Sequence, residues 1–148
     1  MISQKCRYAL RAVFELAKRY GGGPVKINEI AEIQAIPPRF LEIILNQLRQ
    51  AGFVSSRRGA AGGYELVKNP ATLTAGEIIR FIEGPIGPVA CGTKDSSENC
   101  PLYGDCAFIG MWEKAQKAVA AVYDGTTFQD LINEERSKKT HYVECYSI

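Results

Sequence analysis

The sequence predicts a mainly α fold with one small β-hairpin, followed by a long carboxy-terminal helix. Three observations predict it. Apolar residues recur at helical spacing through most of residues 2–50, and a glycine-rich tip, Gly59-Ala60-Ala61-Gly62-Gly63, separates two short strand-like runs. Farther on, Phe108, Trp112, Ala115, Val119 and Val122 repeat at alternating steps of four and three residues. The first and third patterns put one apolar stripe on a helix, and the second is the pattern of a hairpin.

Ile2, Cys6, Ala9, Leu10, Val13, Phe14, Ala17 and Tyr20 define a first helix of about five turns, stopped by Gly21-Gly22-Gly23-Pro24. A short second helix follows in "VKINEIAEIQAI", with Asn28 as cap and Ile27, Ile30, Ala31 and Ile33 available for burial. Proline suits the first position of a helix, where its missing N–H costs nothing. "PPRFLEIILNQLRQAG" therefore reads as a third helix that starts at Pro37-Pro38 and closes at Gly52. Leu41, Ile44, Leu45 and Leu48 form its core stripe, leaving Arg39, Glu42, Asn46, Arg49 and Gln50 outside.

Two helices joined tightly, the second with polar groups outward, make a helix-turn-helix pattern. The hairpin "FVSSRRGAAGGYELVK" comes directly after it, which is the order of a winged helix-turn-helix. Arg57 and Arg58 stand where the wing enters its tip, and glycines such as Gly59 let the backbone approach another surface. "TAGEIIRFIEG" then reads as a helix with Thr74 and Glu77 in capping-box spacing, ended by the Gly84-Pro85 and Gly87-Pro88 pairs. The seam at Phe108, Trp112, Ala115, Val119 and Val122 is suited to pairing with the same helix of a second copy, so a homodimer is expected. "TTFQDLINEERSK" reads as a short last helix capped near Thr126 or Thr127, and the tail "THYVECYSI" has no firm pattern. The expected organisation is a DNA-binding winged unit over residues 1–84, a cysteine-bearing loop over 85–106, and a dimerisation helix with tail over 107–148.

A chain of 148 residues supports one ordinary core with an appended helical element. No apolar run is long enough to span a bilayer and the first twenty residues carry charges throughout, so a cytoplasmic protein without a membrane partner is expected. Residues 1–68 hold 11 Lys and Arg against 5 Asp and Glu, a balance of +6, whereas residues 69–148 balance at −4. That asymmetry points to an anionic partner for the first part. Enzyme chemistry has little support: there is no CxxC, one histidine, no nucleotide-binding glycine pattern and no evident nucleophile–base pair.

"CGTKDSSENCPLYGDC" places Cys91, Cys100 and Cys106 on one polar segment. In a reducing compartment such a cluster reads as metal-binding or redox-active before it reads as disulfides. Thiolates are preferred ligands of Fe–S iron. Zinc with one further ligand is the competing metal, although zinc-ribbon sites show closely spaced cysteine pairs. A metal-free thiol switch and a purely structural loop are the remaining readings.

"RYALRAVFELA", "IAEIQAIPPRFLEIILNQLRQAGFVSSRRGAAGGYEL" and "LTAGEIIRFIEGP" together resemble the Rrf-two family of bacterial winged-helix transcription regulators. The resemblance implies a homodimer that binds a double-stranded DNA operator of inverted half-sites, usually as a repressor. The helix starting at Pro37 would lie in the major groove and the wing would reach the minor groove. By position, Glu42 resembles a carboxylate that reads base edges and can accept from cytosine N4. Arg58 resembles a minor-groove arginine drawn by the potential of a narrow groove. Arg39, Arg49 and Arg57 are assigned to phosphates, and Ile43 stands where an iron–sulfur member has a polar base-contacting residue.

Cys91, Cys100 and Cys106 fall where iron–sulfur members carry their cluster cysteines, implying a four-iron or two-iron cluster. Two known sources of the fourth ligand are absent, since Ile109 replaces a histidine and Arg7 an aspartate. Cys6, His141, Cys145, Glu98, Asp105 and solvent stay open for that role. Other members respond to a regulatory protein partner, and "LTAGEIIRFIEGPIGPV" resembles one of those.

Overall fold

The computed structural model describes residues 2–89, 100–102 and 104–144, with side chains described through residue 139. Among these residues the order is α1 (Gln4–Lys18), α2 (Ile27–Ile33), α3 (Pro38–Gln50), β1 (Val54–Arg57), β2 (Gly63–Leu66), α4 (Ala75–Glu83), α5 (Ile109–Asp124) and α6 (Phe128–Glu144).

The Ser3 side chain caps α1 by accepting from the Cys6 amide at 3.1 Å, one of the donors that a helix start leaves free. The helix buries Cys6, Ala9, Ala12, Val13, Leu16 and Ala17 but ends at Lys18, so Tyr20 lies beyond it and is exposed. α2 starts one residue before the expected cap: Lys26 holds the cap position without a side-chain bond, and Asn28 lies inside the first turn. Ile33 is exposed, and Ile36 in the following turn fills the core instead. α3 begins as expected at its prolines and buries Leu41, Ile44, Leu45 and Leu48.

β1 and β2 pair antiparallel with Val54 opposite Leu66 and Arg57 opposite Gly63. A bridge from Val25 to Tyr64, with N–O distances of 2.9 and 2.8 Å, ties β2 to the segment after α1. That bridge dictates Gly63, because a Cβ there would stand 2.4 Å from the Val25 carbonyl oxygen. α4 has the expected capping box: Thr74 accepts from the Glu77 amide at 3.3 Å, and Glu77 accepts from the Thr74 amide at 2.9 Å.

α6 is longer than its sequence pattern indicates, running 17 residues into the tail. Thr127 caps it, accepting from the Asp130 amide at 3.1 Å while Asp130 accepts from the Thr127 amide at 2.8 Å. The helix returns to the first core, where Phe128 and Ile132 are buried with Ala9, Val13, Leu16, Leu41, Leu45 and Leu73. Burying Phe128 completely contributes about 2–3 kcal/mol. Next to this core a smaller cluster joins Cys6 on α1, Ala75 and Ile79 on α4, and Ile86.

The starts of α4 and α6 are laced together. Ala75 donates to the Thr126 carbonyl at 2.9 Å and Phe128 to the Leu73 carbonyl at 3.0 Å, with a bridge between Thr74 and Thr127. Between these points α5 packs against α4 and buries none of its 16 residues.

Candidate nucleic-acid interface and cysteine segment

An ionic cluster centred on the buried Glu15 fixes α2 against α1. The Glu15 carboxylate on α1 accepts from the Gln34 amide at the end of α2 at 2.8 Å, and it pairs with Lys18 at 2.9 Å and Arg19 at 3.2 Å. Lys18 reaches Glu135 on α6 at 3.6 Å, and Arg19 pairs with Glu29 on α2. Burial pushes the Glu15 carboxyl up, but the Gln34 and Lys18 hydrogen bonds and the Lys18 and Arg19 charges outweigh it and hold the carboxyl below its ordinary 4.5. Sequence reasoning missed Glu15; its signal is the spacing of three and four residues to the two cations. The next residue, Ala35, turns the chain toward α3 with φ 48°, the only positive φ outside glycine among the described residues.

The turn presents α3 with Leu41, Ile44, Leu45 and Leu48 inward, leaving Arg39, Phe40, Glu42, Ile43, Arg49 and Gln50 exposed. Arg39, Glu42 and Arg49, expected from sequence, thus share the outer side of one helix. The hairpin leaves the end of α3 through Phe53, whose amide donates to the Leu48 carbonyl at 2.9 Å. At its tip Arg58 is exposed and makes no ion pair among the described residues. Arg57 differs, since its Nε lies 3.2 Å from Glu65 Oε2 on β2. Cross-strand pairing partly offsets its charge and braces the wing.

The glycines of the tip divide by cause. A Cβ on Gly62 would sit 2.3 Å from the Arg57 carbonyl oxygen, so Gly62 is required by the hairpin's own backbone, whereas Gly63 is required by the Val25 bridge. Gly59 has φ +101° with open space around it, so only its conformation excludes a side chain. The tip is therefore glycine-rich first for internal reasons, and Gly59 is the glycine there that stands free.

Cys100 and Cys106 are free thiols, both half-buried, on either side of a turn in which Asp105 donates to the Leu102 carbonyl at 3.1 Å. The Cys106 carbonyl accepts from the amide of Ile109, the first residue of α5, at 3.2 Å. Cys91, Glu98 and Cys145 lie outside the described residues, as does the His141 side chain. Among the described residues no three His, Cys, Asp or Glu side chains converge as a metal site. The donor chemistry fits an iron–sulfur cluster to this extent: two accessible thiols on one turn, with the third in the segment before it.

Cys6 does not fit. It is fully buried, and its thiol is pushed up to about 11, first by burial and then by the Glu83 charge and hydrogen bond. Asp105 is exposed, Ile109 is half-buried, and Arg7 is exposed and hydrogen-bonded to Gln4. Of the expected seam, Phe108, Val119 and Val122 are exposed and Trp112 and Ala115 half-buried; Ala115 and Val119 line a shallow cleft with Ile79, Ile86 and Tyr123.

A helix pair, a wing and a long uncovered helix in this order correspond to a protein family whose model, described as Rrf2, iron-dependent transcriptional regulator, matches residues 2–134. The chain belongs to the Rrf2 family. Among Rrf2 relatives, the HTH-type transcriptional regulator CymR of Bacillus subtilis is 38% identical over 142 residues, covering 96% of each chain. A putative rrf2-like regulator of Rhodobacter capsulatus is 37% identical over 138 residues, covering 89% of this chain and 92% of its own. The solved structure of CymR, described as the global cysteine regulator of B. subtilis, superposes with a TM-score of 0.76 at 40% identity, covering 90% of this chain and 97% of CymR. The T. potens IscR structure gives 0.74 at 34% identity, covering 91% and 88%. As an Rrf2 member the chain is a DNA-binding transcription regulator with a winged-helix fold, and its relatives are regulators rather than enzymes. No helix among the described residues is long and apolar enough to cross a membrane.

Proposed function

We propose that the chain works as a homodimeric repressor whose affinity for an operator of inverted half-sites is set by an iron–sulfur cluster on Cys91, Cys100 and Cys106. One juxtaposition carries this proposal: the cysteine segment is strung between α4, which packs on α1 of the winged unit, and α5, none of whose residues is buried among the described residues. Arg58 enters the minor groove, Glu42 reads base edges, and Arg39 and Arg49 meet phosphates, with Arg57 bracing the wing beside them.

When bound, the cluster supplies iron that changes oxidation state and is open to loss or to nitric oxide. The protein's own part is mechanical. As thiolate ligands Cys100 and Cys106 would pin the turn whose last carbonyl accepts from the first amide of α5. At its far end α5 is clamped to α4 by the bidentate Arg80–Asp124 pair, 2.7 Å at its second contact. A change at the cysteines therefore biases α5, and through α4 the winged unit, between two arrangements.

A second proposal keeps the fold and replaces the cluster by a metal-free thiol switch or a partner protein. The 38% identity to CymR, a cysteine regulator in its own organism, favours it. Zinc on the same thiols is the metal alternative. Anaerobic purification of the full chain, with an absorbance spectrum and iron, sulfide and zinc analysis, separates these. A brown protein with matched iron and sulfide is expected; a colourless one with stoichiometric zinc rejects the cluster, and a metal-free one favours the thiol switch or the partner protein.

A further inference from the structure

α3 exposes two large apolar side chains that its core packing does not use: Phe40 is 60% and Ile43 55% exposed. On a helical wheel, Ile43 stands opposite the Leu41, Ile44, Leu45 and Leu48 stripe. It has Arg39, Asn46 and Gln50 around it, Glu42 on one flank and Phe40 on the other. Single exposed apolar residues are ordinary on protein surfaces. This one sits at the centre of a face edged by Arg39 and Arg49, on the half of the chain that balances at +6.

An aliphatic centre inside a cationic, hydrogen-bonding rim matches one surface in particular. The major groove of duplex DNA is anionic at its edges and displays one apolar group on its floor, the C5-methyl of thymine. We infer that Ile43, with Phe40 beside it, reads thymine methyl groups in each half-site, next to the base that Glu42 reads. The inference rests on α3 being the DNA-reading helix and adds the chemical group that is read. Isoleucine has no donor or acceptor, so it also discriminates by refusal: a cytosine N4 amino group under it loses water without gaining a partner.

The test uses the full-length protein and a duplex selected by it from a random library. Each thymine of the selected sequence is replaced by uracil, which deletes the methyl and leaves base pairing unchanged. At one or two positions per half-site uracil is expected to weaken binding about fourfold per methyl. Ile43→Ala should bind the thymine duplex more weakly and lose that sensitivity at one position, with an unchanged melting temperature because the residue is largely exposed. Ile43→Gln should shift the preferred base there. Equal affinity for every uracil duplex, or full uracil sensitivity surviving in Ile43→Ala, overturns the inference while leaving DNA binding by α3 intact. Failure to enrich any duplex overturns both.

Discussion

Among the described residues Glu15 is the one charged side chain in the buried set; its partners come from α1 and α2, and Lys18 extends the cluster to Glu135 on α6. Because its folded-state carboxyl lies below the ordinary 4.5, its contribution to stability is present above that value and is lost as pH falls through the lower one. Glu15→Gln should remove that dependence and cost about 1–3 kcal/mol near neutrality, since Lys18 and Arg19 are exposed enough to regain water. Urea denaturation at a series of acidic pH values checks it: the variant's stability should fall less steeply below pH 4.5 than the parent's. The thiols give a second prediction at this scale. In metal-free native protein Cys100 and Cys106 should alkylate readily while Cys6 stays protected until unfolding, as mass spectrometry after timed iodoacetamide treatment will show. Cys6 was legible from its apolar spacing. Glu15 was not, because an acid three and four residues from two cations looks the same in sequence on a wet face as on a dry one.

For the elements, strength of pattern decided legibility. α1, α3 and α4 carry apolar stripes and strong end signals; α3 and α4 were readable almost to the residue, and α1 is shorter by two residues at each end than its stripe indicates. α2 is seven residues long with one stripe position too many, so Ile33, expected in the core, is exposed, and Ile36, not singled out by the pattern, is buried. The outer half of α6 offers little apolar period beyond Ile132 and continues on salt-bridged polar residues such as Glu134–Lys138 and Glu135–Lys139. The hairpin supplies the sharpest test. Gly63→Ala forces a methyl onto the Val25 carbonyl and should destabilise the wing by about 2 kcal/mol or more, whereas Gly59→Ala meets only its positive φ, costing about 1 kcal/mol. Amide hydrogen exchange in β1 and β2 should rise strongly in the first variant and slightly in the second.

At the scale of the molecule, the charge asymmetry was visible in the sequence, and the structure gives it places: exposed arginines on α3 and the wing. Each phosphate contact removed lowers the slope of log affinity against log salt by about one, so Arg49→Ala should flatten the salt dependence without changing sequence preference. Arg58→Ala should flatten it too and weaken specific binding further. Val119 and Val122 are 41% and 64% exposed on α5; if α5 forms the proposed dimer seam, Val122→Asp should shift the protein to monomer in sedimentation without lowering the monomer's stability. The least legible part was the cysteine segment. Its spacing pointed to a ligand set, but a fourth ligand depends on which distant residues approach it, and spacing along the chain does not say which do.

The hydrogen bonds that lace Leu73–Ala75 to Thr126–Phe128 make everything between them a loop drawn shut at its neck. In polymer terms the ends of that loop are already joined, so changing its length or inner arrangement adds little closure entropy. Insertions and deletions near residue 90 should be absorbed while the winged unit stays folded. Cutting the chain after residue 125 would take Phe128 and Ile132 out of the first core and should destabilise the winged unit that remains.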